Sequence, residues 1–335
     1  MKVSVIIPNY NGAHFLRDSL DTIREQSYKD FEVIVIDNAS KDDSVCLLKK
    51  EYPEVKVILN ESNLGFAGAN NRGYKEAKGD YILFLNNDTK LDKDCFRFLI
   101  EKAESDKQKI GVVSAKILLM DHPEAYDAVG SYLTSFGFLY HLGFREIDGG
   151  QYDNLEYIFS PKGVCFLVAR KVIDEVGLFD DDYFAYFEES DFFWRAWLNS
   201  YKIAFMPKAV VYHKLGGTCT MFLSAFIDYH SFKNRIASLI KNLGGISLFY
   251  ILPLHIFCCM VISLLYVFMF KFRNSGAVLR AIGWNVRHLP QTLKKRKHVQ
   301  RDIRKINDTI LFKNIRKNMP IIKLIKFVGI YLRRW

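Results

Sequence analysis

Between Asn242 and Phe270 the chain has no Asp, Glu, Lys or Arg, and beyond Phe270 it almost lacks acids. Residues 271–335 hold 18 Lys/Arg against Asp302 and Asp308 alone. Across all 335 residues, 47 Lys/Arg face 37 Asp/Glu, a formal net charge of +10, so the first 270 residues are net negative by six. A basic total commonly points to nucleic acid. Here the excess sits in a tail with few interleaved aromatics and beside an apolar segment, which argues against that partner. The six cysteines show no C-x-x-C spacing. That argues against a zinc site or a disulfide scaffold and for reduced thiols in a cytosolic body. No internal repeat or low-complexity linker precedes residue 240. The opening run, Met1–Pro8, is too short for a signal peptide and reads as a first strand. With 50% hydrophobic and 25% charged residues, wholesale disorder is excluded as well.

What is present first is an alternation of strand and helix signals. Val3–Ile7, Phe31–Ile36, Val55–Leu59, Tyr81–Leu85 and Gly111–Ala115 are short apolar runs that read as strands. Between the first two lie Phe15, Leu16, Leu20 and Ile23 at helical steps. This order predicts an α/β domain built on a mostly parallel, Rossmann-like sheet flanked by helices. Ligands of such sheets bind beyond the carboxyl ends of the strands, so Asn9, Asp37, Asn63 and Asn86-Asn87-Asp88 are the residues to read.

Asp37 can accept hydrogen bonds from a ribose or a base, or can simply cap the turn before Ser40. The loop Asn63–Gly73 is rich in glycine and small residues. There Gly65 and Gly68 allow close backbone approach, and the helix start with Arg72 favours an anion. Asp88 can hold a divalent cation that also takes diphosphate oxygens. Further on, Phe179–Asp191 mixes six acids with aromatics. Asp180–Asp182 reads as an exposed turn, and a carboxylate in the apolar part can act as a general base. His213 ends another short strand; a lone histidine there is either structural or a ligand.

The order of these segments resembles that of family 2 glycosyltransferases, nearest to the bacterial rhamnosyltransferase-like and galactofuranosyltransferase-like members. The segments are Val5–Gly12, Ile34–Asp42, Asn63–Gly73, Phe84–Thr89 and Glu188–Asp191, within residues 1–220. The resemblance implies a GT-A fold and inverting transfer of a sugar, with rhamnose a candidate, from a nucleotide-diphosphate donor to a hydroxyl. Carried over by position, Pro8, Tyr10, Asp37, Gly65, Arg72 and Asn87 would line the donor nucleotide site, with Asp37 on the base. Asp88 matches the last acid of the family's D-x-D motif, whose first two positions are here Asn86 and Asn87. With His213 it would hold Mn²⁺ or Mg²⁺. Glu189 matches the catalytic base of the Glu-Asp pair, with Glu188 and Asp191 as the other candidates. The Gln-x-x-Arg-Trp signature of processive synthases is absent, so addition of one or a few sugars is expected.

The resemblance sets residues 1–240 as the transferase domain, with 1–90 for the nucleotide-sugar and 91–240 for the acceptor and base. Residues 241–290 form a membrane-embedded or re-entrant helical segment, because about 20 apolar residues suffice to cross a bilayer. Residues 291–335 form a basic surface tail, and Ala277–Leu289 and Ile321–Val328 also suit an interface. The expected partners are a UDP- or dTDP-sugar, a lipid-linked or polysaccharide acceptor, and anionic lipids at the cytoplasmic face of the cell membrane. Two other readings are a nucleotidyltransferase and a non-enzymatic membrane-bound glycan-binding protein. The first normally needs a basic glycine-rich loop after strand one, which Asn9–Gly12 lacks.

Overall fold

A computed structural model describes residues 2–107, 109–214 and 224–317. The apolar runs become strands where they can be buried on both faces. Strand β1 (Val3–Asn9) leads to helix α1 (Ala13–Arg24), then β2 (Phe31–Asp37), α2 (Ser44–Glu51), β3 (Lys56–Leu59) and α3 (Gly65–Glu76). Helix α1 turns Leu16, Leu20 and Ile23 inward, at the spacing that one helical face requires. Next come β4 (Tyr81–Leu85), β5 (Thr89–Leu91), α4 (Cys95–Ser105), β6 (Ile110–Leu119), β7 (Tyr126–Ala128), β8 (Gly130–Leu133) and β9 (Leu139–Leu142). Strand β10 (Cys165–Ala169), α5 (Arg170–Val176), α6 (Glu188–Leu198) and β11 (Lys202–His213) follow.

Among the described residues the main sheet has the order β3-β2-β1-β4-β10-β6-β11-β5, with β7 added to β6. Strands β3, β2, β1 and β4 are parallel. Beyond them the sheet is mixed, because β10 runs antiparallel to both β4 and β6. All five residues of β4 and all ten of β6 are buried, as continuous apolar central strands should be. Strand β1 pairs with β4 only through Ile6, so Pro8 falls where one edge is free and no N–H is needed. Strand β11 pairs with β6 in two stretches, Ile203–Met206 and Val210–His213, separated by a register shift that loops out three residues.

The chain divides into two compact units: residues 1–131 with 141–220, and residues 132–140 with 221–335. The second unit holds α7 (Ser224–Asn242), α8 (Gly245–Phe268), α9 (Phe272–Arg287), α10 (Leu289–His298), a π-helical turn (Val299–Ile303) and α11 (Asp308–Ile315). The division places α7 with the C-terminal helices. Helix α8 runs unbroken through Pro253 with a mean hydropathy of 2.4 over its most apolar stretch, of which only 28% is buried. Its buried residues Ile251, His255, Cys259, Ser263 and Tyr266 form one narrow stripe at three- and four-residue steps. There Cys259 and Tyr266 join Phe232 of α7 and Val278 and Ala281 of α9 in a small apolar core. Helix α9 covers most of the expected interfacial stretch 277–289, while the stretch 321–328 lies outside the described residues.

Candidate active site

The carboxyl ends of β1, β2, β3 and β4 are joined by a side-chain amide network. Asn9 Nδ2 donates to Asp37 Oδ2 at 3.0 Å, and Asn87 Nδ2 donates to Asn9 Oδ1 at 2.7 Å. The other Asp37 oxygen accepts from the Ser40 backbone N–H at 2.9 Å. Asn60 Nδ2 reaches Asn38 Oδ1 at 2.8 Å, which extends the network to the chain just past β3. Gly12 is required beneath it: a Cβ there would lie 2.2 Å from Asn87 Nδ2 and 2.5 Å from Asn9 Oδ1. The network brings Asp37 and Asn87 into one polar floor, with Pro8 and Tyr10 half-buried on the same strand end.

Beside this floor lies a second cluster. Strand β11 ends at His213, which pairs with Thr89 of β5 directly after Asp88. His213 Nε2 lies 3.3 Å from Asp88 Oδ1. The two are out of line for a hydrogen bond, and the buried Asp88 Oδ1 has no hydrogen-bond partner among the described residues. On the opposite edge of the ring, His213 Nδ1 meets Asp127 Oδ2 at 2.7 Å, and the Lys162 ammonium donates to Asp127 Oδ1. Burial alone would lower the His213 pKa, but the Asp127 hydrogen bond and the Asp88 carboxylate override it and the net shift is upward. Burial likewise opposes ionisation of Asp127, and the Lys162 and His213 charges outweigh it, holding that carboxyl well below the usual range. Held by Asp127, the ring turns Nε2 towards a carboxylate oxygen, and a positive species between them, the ring's own proton or a cation, suits the pair. Among the described residues no group of three or more His, Cys, Asp or Glu could hold a metal ion. The chain thus offers the pair Asp88 and His213, and further ligands must come from elsewhere.

The third cluster opens α6. Tyr186 and Phe187 both adopt left-handed backbone, with φ of 70° and 74°, immediately before Glu188. Such conformations cost about 1–3 kcal/mol each and persist only where the surroundings impose them. Glu188 is buried, with Oε2 lacking a hydrogen-bond partner among the described residues, and Glu189 is partly buried with Oε1 3.3 Å from Ser190 Oγ. Burial and the neighbouring Glu189 charge push the Glu188 pKa well up, and burial raises Glu189 as well. Of the two, Glu188 is the one whose protonated form its surroundings favour more strongly. Asp191, fully buried, accepts from Arg195 Nε at 3.1 Å. The Arg195 guanidinium also bonds the carbonyls of Val176, Gly177 and Leu178, so this ion pair latches α6 to the end of α5. One short segment joins the second and third clusters. Lys162 reaches Asp127, a Cβ on Gly163 would lie 3.4 Å from Glu189 Cγ, and Ser160 Oγ lies 2.9 Å from Ser190 Oγ.

Two expected donor residues stand apart. Gly65, at φ of 71°, starts α3 and admits the carbonyl of Phe184, which a Cβ would meet at 2.1 Å. The close approach that this glycine permits is by the chain's own backbone. Some nearby N–H groups are already engaged: Gly65 donates to Asn63 Oδ1 and Ala67 to the Phe184 carbonyl. Arg72 is exposed on α3, where its charge acts on Glu76 one turn later. Reasoning from sequence missed Asp127 and Lys162. Neither sits on an apolar strand end, the only signal that was available.

Comparison with known proteins follows this geometry. Residues 4–136 match the family described as glycosyl transferase family 2, and residues 81–279 match glycosyl transferase family group 2. The amylovoran biosynthesis glycosyltransferase AmsB of Erwinia amylovora is 35% identical over 122 residues, covering 34% of this chain and 40% of AmsB. The GalNAc(5)-diNAcBac-PP-undecaprenol beta-1,3-glucosyltransferase of Campylobacter jejuni is 34% identical over 106 residues, covering 30% of this chain and 34% of that protein. The chain thus spans well under half the length of these two relatives. The S. aureus TarS 1-349 structure in complex with UDP-GlcNAc superposes with a TM-score of 0.60 at 16% identity, covering 90% of this chain and 87% of that one. That likeness gives the fold, a GT-A-like α/β domain with a mixed sheet. With the second family match alone covering more than half of its residues, the chain belongs to glycosyltransferase family 2.

Proposed function

We propose that the chain transfers a sugar, with inversion, from a UDP- or dTDP-linked donor to a hydroxyl of a lipid-linked or polysaccharide acceptor at the cytoplasmic face of a membrane. The observation that carries this reading is the Asp88–His213 pair, facing each other at 3.3 Å beside the polar floor of Asn9, Asp37 and Asn87. The TarS structure with UDP-GlcNAc and the undecaprenol-linked substrate of the Campylobacter relative support the donor and acceptor classes.

The residues fit a divalent cation. An oxygen and a nitrogen ligand held at about 2.1 Å, at right angles, stand near 3 Å apart, close to the spacing found here. Asp88 and His213 would hold Mn²⁺ or Mg²⁺, with the donor diphosphate completing the shell. When bound, the cation stabilises charge on the departing diphosphate. Asp127 fixes the tautomer and orientation of His213, and Lys162 keeps Asp127 ionised.

Transfer in one displacement needs a base for the acceptor hydroxyl as it attacks the anomeric carbon. Glu189 is the less buried member of its pair, and burial raises its pKa, which makes it a stronger base than a solvated carboxylate. Burial and the neighbouring Glu189 charge favour the protonated form of Glu188 beside it, which would add no second negative charge. Donor residues Pro8, Tyr10, Asp37 and Asn87 line the strand ends next to this chemistry, while Gly65 and Arg72 lie apart from that floor.

Helix α8 supports a membrane-bound enzyme. Its exposed residues include Phe249, Phe257, Leu264 and Phe268. Helix α9 packs along it and carries exposed Arg273, Arg280 and Arg287. A crossing would draw these arginines towards hydrocarbon, at about 2.5–3.5 kcal/mol each at its centre. This favours α8 lying in the plane of the cytoplasmic leaflet. Incubating the purified protein with UDP-, dTDP- and GDP-sugars, Mn²⁺ and a membrane extract tests the proposal. Label should enter the lipid or glycan fraction from one donor, and neither transfer nor hydrolysis with any donor would refute it.

A further inference from the structure

The second unit contains a groove far from the carboxylates of the first in sequence and unlike them in chemistry. Between α7 and α9 lies a cavity of about 1050 Å³. Arg273, Arg280 and Arg287 line it at seven-residue intervals. Seven residues are just under two helical turns, so the three stand in one row about 10 Å apart. All three are exposed, and none pairs with a carboxylate among the described residues. Arg280 donates from Nε to its own helix, to the Gly276 carbonyl at 3.3 Å, and its guanidinium lies 5.8 Å from the Tyr229 ring centroid.

Gly276 and Gly283 alternate with the arginines along the same helix and also line the cavity. A Cβ at either position would meet nothing within 4 Å, so the floor is open space. Trp284 supplies an aromatic wall, stacked on His288 with ring centroids 4.2 Å apart. The Lys233 ammonium sits 4.8 Å from the Trp284 ring centroid and adds positive charge.

A row of unneutralised guanidinium groups is a site for phosphate oxygens, which match the forked geometry of arginine. Tryptophan and tyrosine beside it favour the depth at which headgroups meet acyl chains. The same helix α9 packs through Val278 and Ala281 on α8, whose remaining surface is apolar and exposed. The ligand that satisfies both halves carries phosphate at one end and hydrocarbon at the other. We propose that the groove between α7 and α9 binds the phosphate or diphosphate headgroup of a lipid resident in the membrane.

Flotation of the full chain with vesicles tests this. The probes are phosphatidylcholine alone, phosphatidylcholine with phosphatidylglycerol, and phosphatidylcholine with a polyprenyl diphosphate at matched surface charge. The wild type should float with one or both anionic preparations and weakly with the neutral one; no preference for either would overturn the proposal. R280Q/R287Q should lower anionic binding by about tenfold or more, as should G276L/G283L, which fills the floor at positions where a Cβ meets nothing within 4 Å and keeps every charge. Circular dichroism guards against unfolding, and leucine favours the helix more than glycine does. Wild-type binding by G276L/G283L would overturn the site and leave only diffuse attraction. Inorganic pyrophosphate that stabilises the wild type against heat, while no vesicle binds it, would assign the groove to a soluble anion and overturn the lipid. Vesicle binding requires no sugar transfer, so its loss is distinguishable from failure of the transferase reading.

Discussion

His213 Nδ1 stands 2.7 Å from Asp127 Oδ2, so the ring that faces Asp88 is aimed by a carboxylate 86 residues away in the chain. The Asp127→Asn variant should fold and keep donor binding without metal. Its half-activating Mn²⁺ concentration should rise about 10–100-fold, the usual effect of losing an orienting partner. A metal titration of activity checks this, and an unchanged midpoint would remove Asp127 from the positioning of His213.

Glu189 and Glu188 should respond differently to the same chemical change. Glu189→Gln should retain the donor and lose about 10²–10⁴-fold in turnover. Glu188→Gln imitates the protonated form that the surroundings of Glu188 favour and should keep most activity. Isothermal titration with the donor, alongside initial rates, separates the two.

Glu188 also makes a stability prediction. Its folded pKa lies above its unfolded value, so between the two the native state holds a proton that the unfolded chain has lost. Stability from this group is full below the unfolded pKa and falls as pH rises towards the folded one. Glu188→Gln should therefore raise Tm at pH 7–8 relative to wild type, about the range of ordinary assays, and flatten the decline from acid to neutral pH. Thermal scans at several pH values check this.

Asp191→Ala should act on the fold alone. It strands the buried Arg195 guanidinium, which costs about 3–5 kcal/mol when a buried pair loses one member. Tm should fall sharply, while the pH profile of whatever activity remains should keep the wild-type shape. A displaced profile would mean that Asp191 takes part in proton transfer.

On α8, Phe249, Phe257 and Leu264 are 72%, 64% and 54% exposed, so charges there should leave packing intact. The triple replacement by Glu should move the protein from the membrane pellet to the supernatant at unchanged far-ultraviolet dichroism. Continued sedimentation with membranes would reassign anchoring to other surfaces.

The sequence was most legible where one local pattern decided the outcome. Tyr81–Leu85 is a strand because five apolar residues are buried on both faces, and Asp88 and His213 were visible as polar residues near strand ends. Asp127 was invisible because β7 is three residues long and shows no periodicity. Lys162 follows a proline and precedes a glycine, which reads as a turn, and only its contact with Asp127 gives it meaning. Gly65 was read as space for a ligand, whereas the space is taken by the Phe184 carbonyl. The acids from Glu188 to Asp191 looked alike, and only packing separates a Glu188 whose pKa burial pushes up from an Arg195-bound Asp191. The antiparallel course of β10 depends on long-range pairing that no window of residues reports.

The three residues looped out of β11, Pro207, Lys208 and Ala209, act as a length adjuster for the site. An insertion of odd length reverses which side chains point to which face and advances the strand end relative to its neighbour. Drawing the three into the ladder without a bulge would put Val210 opposite Leu119, where His213 now stands, and carry the imidazole past Asp88 by about 10 Å of strand. Strand pairing would survive this while the histidine was lost from the site. A three-residue bulge within β11 therefore decides whether the proposed second cation ligand reaches the site.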